Sequence, residues 1–380
     1  MQTIVLLCVL IGASLESKLL QYKHINALFS GDLYKKSLKN NEDNILICPQ
    51  SAHTILSLAT VGGKGSTAME LSTALHLPPQ PEAIIDVFNA LSANFDVTEP
   101  YQLKSANRMY LKTSLKFRKD FEDVAKTTFK ADIQNIDFAK VKEAAAEINT
   151  WVEDRTDSKI KNLIGDDALS ADTVAVLVNA LYFHGNWVKE FGKGHENKFY
   201  VNEMNPVPAQ FMMQREDFNY HFDEELDAQF LEMPFVGDDV VMTFVLPKRA
   251  NRLPFLEENI EKVLAVKNFL ERDVAVTIPK FKIEYEIDVK EILQSLGVNA
   301  SFTPAANFRG ISDTPLFIGK VFQKTFLEIN ERGATAAAAT GFSFLQYSFP
   351  GAIFTANHPF LFYLRHKVYG VLFVGRFCKP

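Results

Sequence analysis

The sequence predicts an α+β fold in one large domain. Strand-like and helix-like segments alternate in mixed order, without a regular strand–helix–strand rhythm. No Pro-, Gly- or Ser-rich linker and no break in composition divides the 380 residues. Apolar residues make up 47% of the chain at a net charge of −6, enough to bury a sizeable core. The acidic balance argues against nucleic acid as a partner. Nothing beyond the N-terminal segment is long and apolar enough to cross a bilayer, so no membrane contact is expected.

Residues 1–16 read as a secretory signal peptide. An apolar core from Ile4 to Ile11 is followed by the small residues Gly12, Ala13 and Ser14, although only the α-amino group supplies positive charge. Cleavage is expected between residues 13 and 17, leaving a domain of 17–380 that acts outside the cell as a monomer. Loss of the leader removes Cys8. The remaining Cys48 and Cys378 make no disulfide framework and are expected as buried free thiols. A lone sequon, Asn299-Ala300-Ser301, follows a helix end at Leu296 and Gly297, which makes Asn299 a glycosylation candidate.

Residues 17–39 carry a helical stripe through Leu19, Leu20, Ile25, Leu28, Phe29 and Leu33. Ser51 is placed to cap a second helix that stops near Gly62 and Gly63, and Thr67 with Glu70 reads as a capping box opening a third. The glycines at 62–65 lack phosphate-loop spacing. Residues 101–113 turn strand-like, and amphipathic helices follow around 121–129 and 141–152. The apolar run 173–183, with Asn179 inside it, has the pattern of a strand buried on both faces. Segments 230–235 and 240–246 flank a hairpin turn. Val274, Val276 and Ile278, then Phe281, Ile283 and Tyr285, alternate with polar partners on two strands broken at Pro279.

Catalysis finds little support. None of the eight His forms a His-Glu-x-x-His or Cys/His metal spacing, and Ser343 lacks the second glycine of a nucleophile elbow. No enzyme activity, metal or cofactor is expected.

From residue 333 to 364 there is no Lys, Arg, Asp or Glu. The first part is small residues only, and the second carries Phe342, Phe344, Tyr347, Phe349 and Phe354. Two Gly, two Thr and a Pro within 333–350 argue against one long helix. The pattern suits an exposed loop whose first half is small enough to slip into a sheet as an extra strand.

The stretch Glu331, Arg332, Gly333, Ala334, Thr335, Ala336, Ala337, Ala338, Ala339 and Thr340 resembles the hinge of an inhibitory serpin. Residues 354–364, Phe-Thr-Ala-Asn-His-Pro-Phe-Leu-Phe-Tyr-Leu, are similar to that family's C-terminal signature, at the family's separation from the hinge. Residues 44–51 and 179–187 resemble two further family stretches, so the likeness covers essentially the whole chain after the leader. It implies a serpin-like single domain of three β-sheets and about eight or nine helices, with a reactive-centre loop at about 331–353. It also implies a suicide substrate that traps serine proteases as acyl-enzymes.

Inhibitory relatives place the reactive residue fourteen positions after the hinge glycine, which gives Tyr347, with Ser348 beyond the scissile bond. Tyrosine suits the primary pocket of chymotrypsin-like enzymes, including chymase and cathepsin G types. Glu331 and Lys280 match the family's charged pair at the top of the main sheet, and Trp187 the aromatic packed there. Ser51 and Asn179 match polar residues beneath the mid-sheet opening. The family usually has His in place of Gln323, so restoring it is expected to add a pH response between roughly 5.5 and 7.5. In the likeness Cys48 and Cys378 lie on neighbouring strands, which leaves a bridge geometrically conceivable.

The chain also resembles secreted arthropod serpins, including those of tick saliva, which implies host proteases as targets. Lys112, Lys116, Arg118 and Lys119 form a candidate for weak glycosaminoglycan binding. The alternative function is a non-inhibitory serpin, a carrier or a plain protease substrate. Such a protein is expected to carry charged or bulky hinge residues, which this chain lacks.

Overall fold

The computed structural model describes residues 2–39, 41–92, 101–165, 167–202, 204–237, 239–333 and 350–380, with the side chains of 2–14 left aside. The helices in chain order are α1 (Gln2–Ser37), α2 (Pro49–Gly62), α3 (Gly65–Ala74), α4 (Pro81–Ser92), α5 (Lys119–Thr127), α6 (Val141–Arg155), α7 (Leu253–Glu258), α8 (Ile260–Ala265) and α9 (Val289–Ser295). The strands begin with β1 (Ile45–Ile47), β2 (Gln102–Lys112), β3 (Asp132–Ile136), β4 (Ala175–His184), β5 (His195–Asn202), β6 (Asn205–Asp223) and β7 (Ala228–Pro234). They continue with β8 (Val240–Pro247), β9 (Leu270–Pro279), β10 (Phe281–Asp288), β11 (Ile318–Ile329), β12 (Ala352–Thr355), β13 (Phe360–His366) and β14 (Gly370–Phe377).

One sheet has the order β10-β11-β4-β2-β3. The other nine strands form one bonded network that hinges on β6. On one flank of β6 run β9 and β12, with β5 paired to its N-terminal part. On the other run β7, β8, β13, β14 and β1. Counted on either side of this shared strand, the architecture is the expected three sheets.

The five-stranded sheet explains the apolar run of β4, which is buried at every position except His184. Its Leu177, Leu181 and Phe183 enter the main core with Ile55 and Leu58 of α2. Its Val176, Val178, Ala180 and Tyr182 enter a second core with Ala144, Ala145, Ile148 and Val152 of α6. A strand covered on both faces loses the two-residue alternation and reads as continuous apolar sequence.

Three helix starts differ from expectation. α2 begins at Pro49, whose missing N–H costs nothing in a first turn, so Ser51 lies inside the helix. α3 begins at Gly65 (φ 57°), ahead of Thr67. Thr67 Oγ1 accepts from the Asn307 amide at 2.9 Å, and Glu70 Oε2 accepts from the amides of Asn299 (2.7 Å) and Ala300 (2.8 Å). The capping-box acceptors therefore serve a distant chain segment. The helix expected from residue 17 starts at Gln2 instead, so most of the segment read from sequence as a leader lies within α1.

Cys48 and Cys378 are buried free thiols. The antiparallel register Ile45↔Arg376, Ile47↔Val374 places Cys48 and Cys378 at opposite ends of the β1–β14 pair. At about 3.3 Å per residue that is far beyond the roughly 7 Å limit for a bridge, so the conceivable disulfide is excluded.

His53 of α2 packs between Tyr22, Phe29 and Phe88, with Nε2 on the Leu75 carbonyl at 2.9 Å. Burial pushes its imidazole down to about 4. The unfolded chain therefore takes up the proton first, and stability is lost as pH falls from about 6.5 towards 4, by on the order of 3 kcal/mol. Urea midpoints at pH 7, 5.5 and 4.5 should drop accordingly, and His53→Gln should flatten that drop. An identical slope in the variant would show that other groups carry the acid sensitivity.

Candidate functional site

The site lies where β11 leaves the five-stranded sheet. The parallel β11–β4 ladder ends at the Phe326↔Tyr182 pair. Beyond it the Asn330 amide donates to the Gly333 carbonyl at 2.9 Å, and the Gly333 amide donates back to the Asn330 carbonyl at 3.2 Å. These two bonds close a two-residue reverse turn over Glu331 and Arg332, so Gly333 already runs antiparallel to β11. On its other side Gly333 bridges Asn186, just past β4, and the Trp187 amide donates to the Arg332 carbonyl at 2.7 Å. Gly333 is thus bridged in antiparallel sense on both sides, between the ends of β11 and β4.

Only glycine fits there. Its φ is +137°, and a Cβ would sit 2.1 Å from the Gly185 carbonyl oxygen and 2.8 Å from the Asn186 Cα.

The neighbouring side chains hold this turn. Lys280 Nζ donates to Glu331 Oε1 at 2.8 Å. Burial alone would raise the Glu331 carboxyl, but the Lys280 ammonium holds it below the usual range. The pair therefore stabilises the turn above the ordinary glutamate pKa and is lost as pH falls through the depressed value. Trp187 stacks on Phe235 with centroids 4.2 Å apart, and its Nε1 donates to the Asn330 carbonyl at 3.1 Å.

Lower in the sheet, three amide side chains stand side by side across β2, β4 and β11. The register pairs Asn107 with Asn179 and Asn179 with Gln323. Gln323 Nε2 donates to Asn179 Oδ1 at 2.6 Å and to the Cys48 carbonyl at 2.9 Å, while its Oε1 accepts from the Cys48 amide at 3.0 Å. Asn179 Nδ2 donates to Ser51 Oγ and, at 2.7 Å, to Asn107 Oδ1. Ser51 Oγ also donates to Asn107 Oδ1 at 2.9 Å. The network ties α2 to the three strands under the β4–β11 seam. Asn107 was not foreseen, because one Asn in a strand-like run has no signature until the register is known.

Gln323 makes three hydrogen bonds, and an imidazole with two ring nitrogens cannot replace them all. Gln323→His should open the seam more readily, speeding conversion to latent or polymeric forms on heating. Burial at this 1%-exposed position should also lower the new group's pKa, as it does for His53. Its pH response then falls on the acid side of the neutral window expected from sequence. A conversion rate that is unchanged at every pH would contradict this role for Gln323.

Of the other expected site residues, Ala334, Thr335, Ala336, Ala337, Ala338, Ala339, Thr340, Tyr347 and Ser348 lie outside the described residues. Asn299 is exposed, with Nδ2 on the Gly297 carbonyl at 3.3 Å. In the basic cluster, Arg118 pairs with Asp120 at 3.2 Å and Asp313 at 2.8 Å, and Lys119 with Asp123 at 3.1 Å. These carboxylates offset much of the charge that a polyanion would meet.

Residues 24–380 match the model of one protein family, Serpin (serine protease inhibitor). The chain is 34% identical to human Serpin B4 over 383 residues, spanning 93% of this chain and 98% of that protein. It is 35% identical to Antichymotrypsin-2 of Bombyx mori over 354 residues, 90% of this chain and 94% of that one. Among solved structures it superposes on Serpin48, a highly specific serpin of the insect Tenebrio molitor. The TM-score is 0.88 at 33% identity, over 95% of this chain and 98% of that one.

Proposed function

The chain belongs to the serpin family, and from that premise we propose that it is a secreted, monomeric suicide inhibitor of chymotrypsin-like serine proteases. The target's serine attacks the Tyr347 carbonyl. The bond to Ser348 breaks, and the new amine leaves with a proton as the acyl-enzyme forms. Residues after Gly333 then enter as a new strand, passing between β11 and β4. Loop insertion of this kind is an established behaviour of serpins.

One observation carries the reading: Gly333 is hydrogen-bonded in antiparallel sense on the β11 side and bridged to Asn186 on the β4 side. Because β4 and β11 run parallel, a strand antiparallel to one is antiparallel to both. Insertion then exchanges one parallel ladder for two antiparallel ones. The small residues Ala334 to Ala339 meet little steric resistance on the way in. At a net gain of roughly 1 kcal/mol per bonded residue, ten or so inserted residues contribute on the order of 10 kcal/mol. At about 3.3 Å per residue, the tethered protease is carried some tens of ångströms. Its catalytic geometry is distorted before water can release it, since errors of about 1 Å already cost a hundredfold in rate.

Cleavage of the 1–16 leader and glycosylation at exposed Asn299 belong to the same proposal. The resemblance to secreted arthropod serpins extends it to host proteases as targets. Incubation with chymotrypsin should give a complex that survives a denaturing gel, and the cleaved protein should melt at higher temperature than the intact one. Cleavage with no such complex would instead identify a non-inhibitory member of the family.

A further inference from the structure

A buried imidazole closes the turn between β13 and β14. His366 ends β13 and is 6% exposed, and its Nδ1 accepts from the amides of Val368 at 2.9 Å and Tyr369 at 3.3 Å. An accepting Nδ1 carries no proton, so in the neutral ring Nε2 holds it and donates to the Tyr101 hydroxyl oxygen at 2.9 Å. Every hydrogen bond of this ring therefore belongs to its neutral form. A proton added at Nδ1 would face two N–H groups.

Tyr101 stands directly ahead of β2, and from it a row of packed rings leads to the hinge turn. Its ring lies 5.8 Å from that of Phe183, Phe183 lies 4.8 Å from Phe235, and Phe235 lies 4.2 Å from Trp187. Trp187 in turn bonds the Asn330 carbonyl through Nε1 and the Arg332 carbonyl through its amide. The row has no slack, since a Cβ on Gly185 would meet Phe183 at 2.9 Å and Phe235 at 3.0 Å.

We propose that His366 is an acid-sensitive brace of the hinge turn. Protonation turns Nδ1 from acceptor to donor, the turn over 366–370 opens, Tyr101 loses this tie, and Trp187 is held less firmly on Asn330 and Arg332. The charges around the ring largely cancel, so the lost acceptor decides. Glu232 is paired with Arg365 and Asp239 with Lys367, and Lys23 Nζ donates to the Lys367 carbonyl at 3.3 Å. His24 of α1 and Lys267 beyond α8 line the cleft onto which His366 opens, and positive charge there opposes an imidazolium. Burial, against the pull of the Asp239 carboxylate, lowers the imidazole to about 4. The open turn takes up the proton first, so the closed turn is fully favoured above about 6.5 and is lost as pH falls towards 4. Opening then grows by up to about tenfold per pH unit across that window. A loosened hinge turn lets the loop enter more readily, a consequence that rests on the insertion mechanism above.

Hydrogen exchange on the intact protein, with no protease present, reads the brace separately from that mechanism. In the wild type, protection of residues 366–371 and 186–191 should fall together, by about tenfold per pH unit below about 6.5, while β4 stays protected. His366→Gln cannot titrate and should flatten both falls. Tyr101→Phe keeps the row of rings but cuts the tie, so the fall should persist at 366–371 and fade at 186–191. His53→Gln should leave both falls in place. Loss of protection that spreads evenly through β4, or the same falls in His366→Gln, overturns the switch. A wild-type fall confined to 366–371, or one at 186–191 undiminished in Tyr101→Phe, overturns the link to the hinge. Falls as expected, with a rate of heat-driven latency or polymer formation that ignores pH in the same window, overturn the consequence for insertion.

Discussion

Gly333→Val is expected to convert the inhibitor into a substrate: the loop is still cut, and the trapped complex falls by tenfold or more. A valine Cβ cannot occupy a point 2.1 Å from the Gly185 carbonyl oxygen, and a β-branched residue at φ +137° adds backbone strain. The turn over Glu331 and Arg332 must leave its seat, and with it go the Asn186 bridge and the Trp187 amide bond. Insertion then has to begin without these bonds, and deacylation wins the race. Ala334→Arg should give the same outcome for a different reason, because a charged side chain must be desolvated early in insertion. Moles of inhibitor consumed per mole of chymotrypsin inactivated is the measurement, read beside the rate of loop cleavage. A complex yield near wild type in the Gly333 variant would show that the hinge seat plays no part in trapping.

The fold was legible wherever the pattern reflected burial. The unbroken run 173–183 announced a strand covered on both faces, and β4 is that strand between α2 and α6. The hairpin around 236–239 and the break at Pro279 were legible for similarly local reasons, and Pro279 is where β9 ends before β10 starts in a different sheet. Helix starts at Ser51 and Thr67 were misplaced because a hydroxyl that could cap its own helix can equally serve another chain segment. In the site, Lys280, Glu331 and Trp187 came through the family resemblance, and the structure places them together at the turn over Glu331 and Arg332. Asn107 did not, since its importance arises only when the ladders put it in one row with Asn179 and Gln323. Gly333 served in the sequence as an origin for counting; its reverse turn and close approach to Gly185 are long-range facts that no local pattern encodes.

Tyr347→Arg should reverse the order of target proteases while leaving the hinge and the fold intact. Tyr347 stands fourteen residues beyond Gly333, and no Lys or Arg lies anywhere from 333 to 364. A trypsin-like primary pocket ends in a buried carboxylate, which a tyrosine leaves unpaired at a cost of several kcal/mol. A chymotrypsin-like slot instead buries the ring, a gain of roughly 1.5–3 kcal/mol of apolar contact. Together these differences correspond to about a thousandfold or more in the rate of attack. The wild-type protein should therefore trap chymotrypsin, mast-cell chymase or cathepsin G far faster than trypsin or thrombin, and the arginine variant should do the opposite. Since insertion depends on residues before position 347, the stoichiometry against the preferred enzyme should stay the same in both. Mass spectrometry of the released C-terminal fragment should find Ser348 at its new N-terminus. A fragment that begins elsewhere, or a wild-type protein that prefers trypsin, would remove Tyr347 from the reactive bond.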